Sequence, residues 1–327
     1  MSSAATTEPT NSGSSWKGVA LGLTAAIAYS VTNLALRKLA GGTGGMAWDT
    51  WISGTKALPT ALIASILLVL AVREGKAVFP SRRVICALIL SALLMQFGGN
   101  LGFQISLRLI GLAISVPIVF ASIIVSGALV GRTALGDAVS VRTAISMGLM
   151  VVSIGFLSAA AHRAESTEAG AMAQQAAESM ISSSVIGPVG LGVIVALLSG
   201  LSYGLCGVVI RRVVRGQVPV ATTLFVFSLT GLLTLCPISG WQLGASGLKA
   251  ISSMDWFYML LAGTFNAIGF FAITYAYRLM NISRANVVNA SQNAMCAAGA
   301  WLIFQEDLSG WALIGIGLTI IGLIILD

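Results

Sequence analysis

The residues best suited to chemistry in this chain are polar groups set inside long apolar stretches. Lys56 follows Trp48 and Trp51 by five to eight positions. At about 1.5 Å of helix rise per residue, that is roughly 8–12 Å into an apolar run. A cation at membrane depth costs at least about 2.5–3.5 kcal/mol, so it faces a cavity, pairs with an acid or snorkels. Two roles stay open: a ligand for a carboxylate or phosphate, or a snorkelling or ion-paired lysine, with Asp49 seven residues earlier on the same helical face. Asn286, Asn289 and Asn293 recur at i, i+3 and i+7 with Gln292 beside them, and Gln96, Asn100 and Gln104 at i, i+4 and i+8. Either spacing draws one polar stripe along a helix. Unpaired amides in hydrocarbon cost several kcal/mol each, so both stripes must face other helices or water. Amides donate and accept, which suits zwitterions and polyols. Lining a pathway and bonding helix to helix fit the pattern equally well. Tyr29, Tyr203 and Asn266 join the candidate site through internal symmetry, as shown below.

The elements that position these residues follow from composition. The chain has 327 residues, 57% hydrophobic and 9% charged, against roughly 25% charged in a soluble domain. That excludes a soluble enzyme, a disordered protein and a coiled coil. A spanning helix needs about 20 mostly apolar residues. Ten runs qualify: 17–38, 48–71, 84–106, 112–131, 141–161, 186–210, 219–239, 256–277, 284–304 and 310–326. They are continuous rather than alternating, which excludes a β-barrel. Residues 1–15 read as a disordered polar tail without a signal peptide, and the first run as an uncleaved signal-anchor. Trp16, Trp48, Trp51, Trp241, Trp256 and Trp311 lie near span ends, where an aromatic belt belongs. Pro59 and Pro117 fall inside spans and are expected to kink them, as hinges or as static bends.

The net charge of +7 allows nucleic acid or a membrane orientation signal. With the N-terminus inside, 12 of the 18 lysines and arginines fall on the cytoplasmic side, five outside, and Lys56 in between. The bias places both termini in the cytoplasm of a plasma or inner membrane and accounts for the charge without nucleic acid. The stretch 162–184, with Glu165, Glu168 and Glu178, reads as an extracytoplasmic linker.

The two halves repeat. Ala28-Tyr29 precedes Arg37-Lys38 by eight residues, as Ser202-Tyr203 precedes Arg211-Arg212, at an offset of 174. Arg108-Leu109 matches Arg278-Leu279 at offset 170, Ile114-Ser115 matches Ile282-Ser283 at 168, and Leu135–Ser140 (LGDAVS) matches Phe304–Ser309 (FQEDLS) at 169. Asn266 falls opposite Gln96 at offset 170. Each half holds five spans, so the second enters from the opposite side. The expected fold is an all-α membrane protein of ten transmembrane helices in an inverted 5+5 repeat, with halves 16–161 and 185–327. Symmetry-related polar groups at mid-depth, Tyr29 with Tyr203 and Gln96 with Asn266, are where such a carrier binds.

Across these spans the sequence resembles the EamA type of the drug/metabolite transporter superfamily. The resemblance is carried by the junctions LGDAVSVRTAISMGLMVVSIGFL and FQEDLSGWALIGIGLTIIGLIIL. Here Asp137 stands where glutamate is commoner, and Gln305-Glu306 replaces Gly-Glu. The resemblance implies an α-helical transporter of small organic metabolites with a binding cavity between the halves, usually without a bound cofactor, and two such inverted halves can rock to expose a midplane site alternately. Asp137 and Glu306 read as turn residues acting on the positive end of the next helix.

Other classes find less support. The four cysteines form no CxxC pair, and His162 is the one histidine, so neither a metal site nor a disulfide framework is expected. A serine intramembrane protease needs a membrane histidine, and an aspartyl one needs a partner for the ALGD aspartate at 137. No catalytic residue is expected, and no Walker-A or HExxH motif occurs. A channel or lipid scramblase is the main alternative to a carrier, and a receptor a lesser one. The expected partners are a small anionic or zwitterionic substrate and the bilayer. Four GxxxG pairs read as internal packing, and a homodimer stays open.

Overall fold

The computed structural model describes residues 12–39, 45–165, 188–304 and 309–326. Among them the chain is helical, without strands. Helix α1 spans Ser12–Leu39, α2 Gly45–Thr55 and α3 Leu58–Arg73. Next come α4, Arg82–Leu93, a π-helical segment, Leu94–Leu101, α5, Gly102–Leu135, and α6, Val141–Glu165. The second half holds α7 (Pro188–Arg215), α8 (Val220–Lys249), α9 (Ser253–Leu279), α10 (Ile282–Ala290), α11 (Gln292–Phe304) and α12 (Gly310–Leu326). Helix α1 therefore starts within the expected tail, and α6 runs into the expected linker. The rest of that tail and linker, and Glu306, lie outside the described residues.

Seven helices among the described residues are long and apolar enough to cross a membrane, and Val141–Leu157 and Gly310–Leu326 are shorter apolar ones. Large apolar side chains face outward along them, such as Leu62, Ile66 and Leu70 on α3 and Ile320 and Ile324 on α12. That is the pattern of a surface solvated by hydrocarbon rather than water. Of the tryptophans expected in an aromatic belt, Trp16 and Trp241 are exposed but Trp48 is not. Trp48 is buried and donates its indole N–H to the Leu39 carbonyl at 3.1 Å, tying α2 to the end of α1.

Helical turns follow one another without a gap over Gly102–Leu135, across the expected loop between spans 84–106 and 112–131. Yet the Ser106 and Ser115 hydroxyls meet at 2.6 Å. Nine residues of straight helix rise about 13.5 Å, so the chain folds back between them. In the second half, the Tyr277 hydroxyl meets Asn286 Oδ1 at 2.9 Å across the α9–α10 turn, also nine residues apart.

Two interruptions have local causes. Pro59 has no N–H for the Thr55 carbonyl, so α2 ends at Thr55. The Ala57 N–H reaches back to Gly54 instead, at 3.0 Å, and α3 restarts at Leu58. Lys56 occupies that break. In α8, Gly244 takes φ 65° and ψ 177°, which bends the helix near its end. Helices α6 and α12 start alike: the Ser140 hydroxyl accepts the Thr143 N–H at 3.1 Å, and the Ser309 hydroxyl the Ala312 N–H at 3.3 Å. These N-caps satisfy donors that the first turn leaves free.

Small residues set the helix contacts. A Cβ on Gly98 would strike the Ser202 hydroxyl, and one on Gly127 would lie 2.5 Å from Asn286 Nδ2. Helix α6 packs on α12 through Ser153, whose hydroxyl meets both the Gly315 carbonyl and the Thr319 hydroxyl at 2.6 Å.

Candidate functional site

Four of the expected site residues meet in one hydrogen-bonded cluster. Gln96 and Asn100 lie on the π-helical segment, buried to 5% and 9% exposure. The wider π turn is a known device for presenting side chains at functional sites. Asn100 Nδ2 donates to Gln96 Oε1 at 2.7 Å, and Gln96 Nε2 donates to the Phe227 carbonyl of α8 at 3.3 Å. From α7 the Tyr203 hydroxyl donates to Asn100 Oδ1 at 2.7 Å, and Lys56 Nζ approaches the same oxygen at 3.4 Å. Lys56 is half-buried and forms no ion pair among the described residues. Its ammonium reaches Asn100, not Asp49.

Glycines make room for this cluster. A Cβ on Gly99 would lie 2.9–3.1 Å from the Tyr203 ring, and one on Gly231 would sit 2.7 Å from Gln96 Nε2. The Tyr29 ring packs on Gly269 in the same way, with 3.0–3.1 Å to the position of a Cβ. So each tyrosine of the repeat lies on a glycine of the opposite half: Tyr203 on the first half's Gly99, Tyr29 on the second half's Gly269. Asn266, one turn before Gly269, is half-buried and makes no hydrogen bond among the described residues.

The second stripe divides. Asn286 is an interhelical fastener, bonded to Tyr277 and pressed against Gly127. Gln292 and Asn293 serve the break between α10 and α11. Their amides donate to the Asn289 and Ala290 carbonyls at 3.2 and 3.0 Å. Gln292 Oε1 also accepts from Asn33 of α1 at 3.3 Å, and its backbone carbonyl accepts from the Ser30 hydroxyl at 3.1 Å. Asn289 Oδ1 is buried without a partner, a state that costs about 1–3 kcal/mol unless something fills it. The sequence pattern does not single out Asn33, although it lies four residues past Tyr29 on the same helical face.

A buried ion pair lies at the end of the bundle. Arg211 and Asp137 are 3% and 5% exposed. Arg211 Nη2 donates to Asp137 Oδ1 at 2.9 Å, and Nε lies 2.7 Å from Oδ2. The Nε hydrogen points off that line, so the second contact is ionic rather than a hydrogen bond. Arg211 also donates to the Tyr277 and Met280 carbonyls at the C-terminal end of α9, and to Asn281 Oδ1 at 3.0 Å. Asp137 Oδ2 accepts the Ile282 N–H at the start of α10, at 3.3 Å. The cation therefore sits on a helix C-terminus and the anion on a helix N-terminus, each the favourable end. This corrects the expected role of Asp137. Ser140 already caps the next helix, α6, so the carboxylate reaches across to the other half.

The open apolar groove between α3 and α8, lined by Leu68, Val72, Phe79 and Phe225, touches none of the cluster residues. Among the described residues no group of histidines, cysteines and acids is arranged to hold a metal ion.

Residues 190–326 match the EamA-like transporter family. A solved crystal structure is similar in fold over 94% of this chain and 95% of its own, with a TM-score of 0.68 at 12% sequence identity. No curated protein matches the chain.

Proposed function

We propose that this chain, whose residues 190–326 match the EamA-like transporter family, is a carrier that moves a small organic metabolite across the cytoplasmic membrane by alternating access. Its binding site lies at mid-depth between two inverted five-helix halves. The observation that carries this reading is the reciprocal seating of Tyr203 on Gly99 and Tyr29 on Gly269, as a pseudo-two-fold axis in the membrane plane would produce. The paired turns at Ser106/Ser115 and Tyr277/Asn286, and the paired caps Ser140 and Ser309, support the same symmetry.

In this reading Lys56, Gln96, Asn100 and Tyr203 form one wall of the site. Tyr29 and Asn266 stand opposite, and the broken helix with Asn289, Gln292 and Asn293 completes it. Broken helices are the usual element of such sites, because the break frees backbone groups toward a cavity. Arg211 and Asp137 close the cytoplasmic end, on the face carrying most of the basic residues, with both termini on that side.

Reconstituted protein tests the function. Amino acids, organic acids, nucleosides and sugars are offered as radiolabelled probes to proteoliposomes and to empty liposomes. Saturable, stereospecific uptake of at least one class is expected. Flux that rises linearly with concentration would support a channel instead, and lipid flip-flop without solute flux a scramblase.

A further inference from the structure

We propose that Lys56 and Tyr203 form a clamp for a single carboxylate, so that the transported metabolite is a small organic monoanion. This rests on the transporter reading above and names the substrate class of the same site.

The direction of the hydrogen bonds carries the inference. The Phe227 carbonyl can only accept, so Gln96 must turn its Nε2 toward it. Gln96 Oε1 then faces Asn100 and takes its Nδ2, which turns Asn100 Oδ1 outward. Two donors converge on that one oxygen, the Tyr203 hydroxyl and the Lys56 ammonium. Their convergence marks the place of an acceptor oxygen, and the oxygen now there is uncharged. The Lys56 contact is long, 3.4 Å, and the other two ammonium hydrogens have no acceptor among the described residues. An ammonium held this way at membrane depth is an uncompensated charge, and such charges mark substrate pathways.

Charge count narrows the ligand. Arg211, which is deeply buried, is already matched by Asp137. A phosphate monoester with two charges would leave one unbalanced. An α-amino acid is a net-neutral zwitterion, so its ammonium would leave the site at the same net charge that Lys56 alone gives it. A neutral solute would leave Lys56 as it is. A carboxylate has one charge and two oxygens, one for the ammonium and one for the tyrosine hydroxyl, through charge-assisted bonds.

The test uses reconstituted full-length protein and straight-chain monocarboxylates as probes, each beside its primary amide, its α-amino derivative and the matching alkyl phosphate. Counterflow and thermal stabilisation are both read. Monocarboxylates should exchange and stabilise, and the matched amides should do neither. Lys56→Gln should lose roughly 10- to 100-fold in carboxylate counterflow, without loss of thermal stability, because it removes an uncompensated charge. Lys56→Arg should retain part of the activity. Tyr203→Phe should raise KM more than it lowers the maximal rate. Flux confined to neutral compounds, or carboxylate flux undiminished in Lys56→Gln, overturns the clamp and leaves the transporter reading standing. Carboxylate stabilisation that Lys56→Gln abolishes, with no flux of any probe, sustains the clamp and overturns the transporter reading. No flux and no stabilisation by any monocarboxylate overturns the clamp.

Discussion

Replacing Asp137 with alanine should destabilise the protein by about 3–5 kcal/mol, the cost of leaving a buried cation without its counter-ion. Arg211 is 3% exposed and cannot reach water by a rotamer change while it holds the Tyr277 and Met280 carbonyls. The loss also removes the acceptor of the Ile282 N–H at the start of α10. The double variant Asp137→Asn, Arg211→Gln should cost much less than the sum of the two single changes, since neither partner is then left charged. Thermal unfolding in detergent reads both. In the alternating-access reading, the pair is made only when this end is closed, so its loss should also shift the protein toward opening there. Cys206 reports that opening. It lies on α7 five residues before Arg211, is 1% exposed, and donates its thiol to the Ser91 carbonyl at 3.1 Å. In a background with Cys86, Cys236 and Cys296 changed to serine, Cys206 should resist a polar maleimide in the otherwise unchanged protein and react in Asp137→Ala. Equal labelling of the two proteins would sink the gate, and a single-variant cost below about 1 kcal/mol would sink the structural role.

The second large effect is expected at Gly200. Helices α5 and α7 approach so closely there that a Cβ would overlap the Val119 carbonyl oxygen and the Ser122 Cβ, with the Val119 carbonyl carbon 3.1 Å away. Most of that obstruction is backbone, which a rotamer change cannot move. Gly200→Ala should therefore cost about 1–3 kcal/mol, and Gly200→Leu should prevent assembly, because overpacking forces the helices apart. Separation would also carry Tyr203 away from Asn100, so transport should fall with stability. Gly148 and Gly155 on α6 are the controls. Nothing lies within 4 Å of a Cβ at either position, and alanine there should be neutral or stabilising by up to about 1 kcal/mol, since glycine is the poorer helix former. Monodispersity and melting temperature separate the cases. If Gly200→Ala behaved like Gly148→Ala, the close crossing would be refuted.

Several features of the candidate site are legible in local sequence. The Gln96/Asn100 spacing, the rarity of a lysine after two tryptophans and the tyrosines at equal places in the two halves each depend on residues close in the chain or on a simple repeat. All four cluster residues, Lys56, Gln96, Asn100 and Tyr203, stand out in that way. The stripe at Asn286, Asn289 and Asn293 shows in the sequence as polar and inward-facing, but periodicity alone cannot divide it. Asn286 goes to a fastener, Asn293 to a helix break, and Asn289 keeps an unpartnered oxygen. Arg211 reads as a loop charge, because its distance from the span end resembles that of Arg212 and Arg215. Its match with Arg37 at the offset of the tyrosines sets it apart from Arg215 but not from Arg212, which matches Lys38 at the same offset.

By itself the sequence determined that this is an all-helical membrane protein, through a hydrophobic content no water-facing surface could carry, and which residues would be costly at depth. Hydropathy and helical period are properties of neighbouring residues, so the chain displays them directly. Tertiary structure alone decided who meets whom: Lys56 with Asn100 rather than Asp49, and Asp137 with Arg211 and the start of α10 rather than the helix that follows it. Those partners are 44, 74 and 145 positions apart. Their meeting depends on how the halves cross and on the glycines that let them approach, and no local period encodes that.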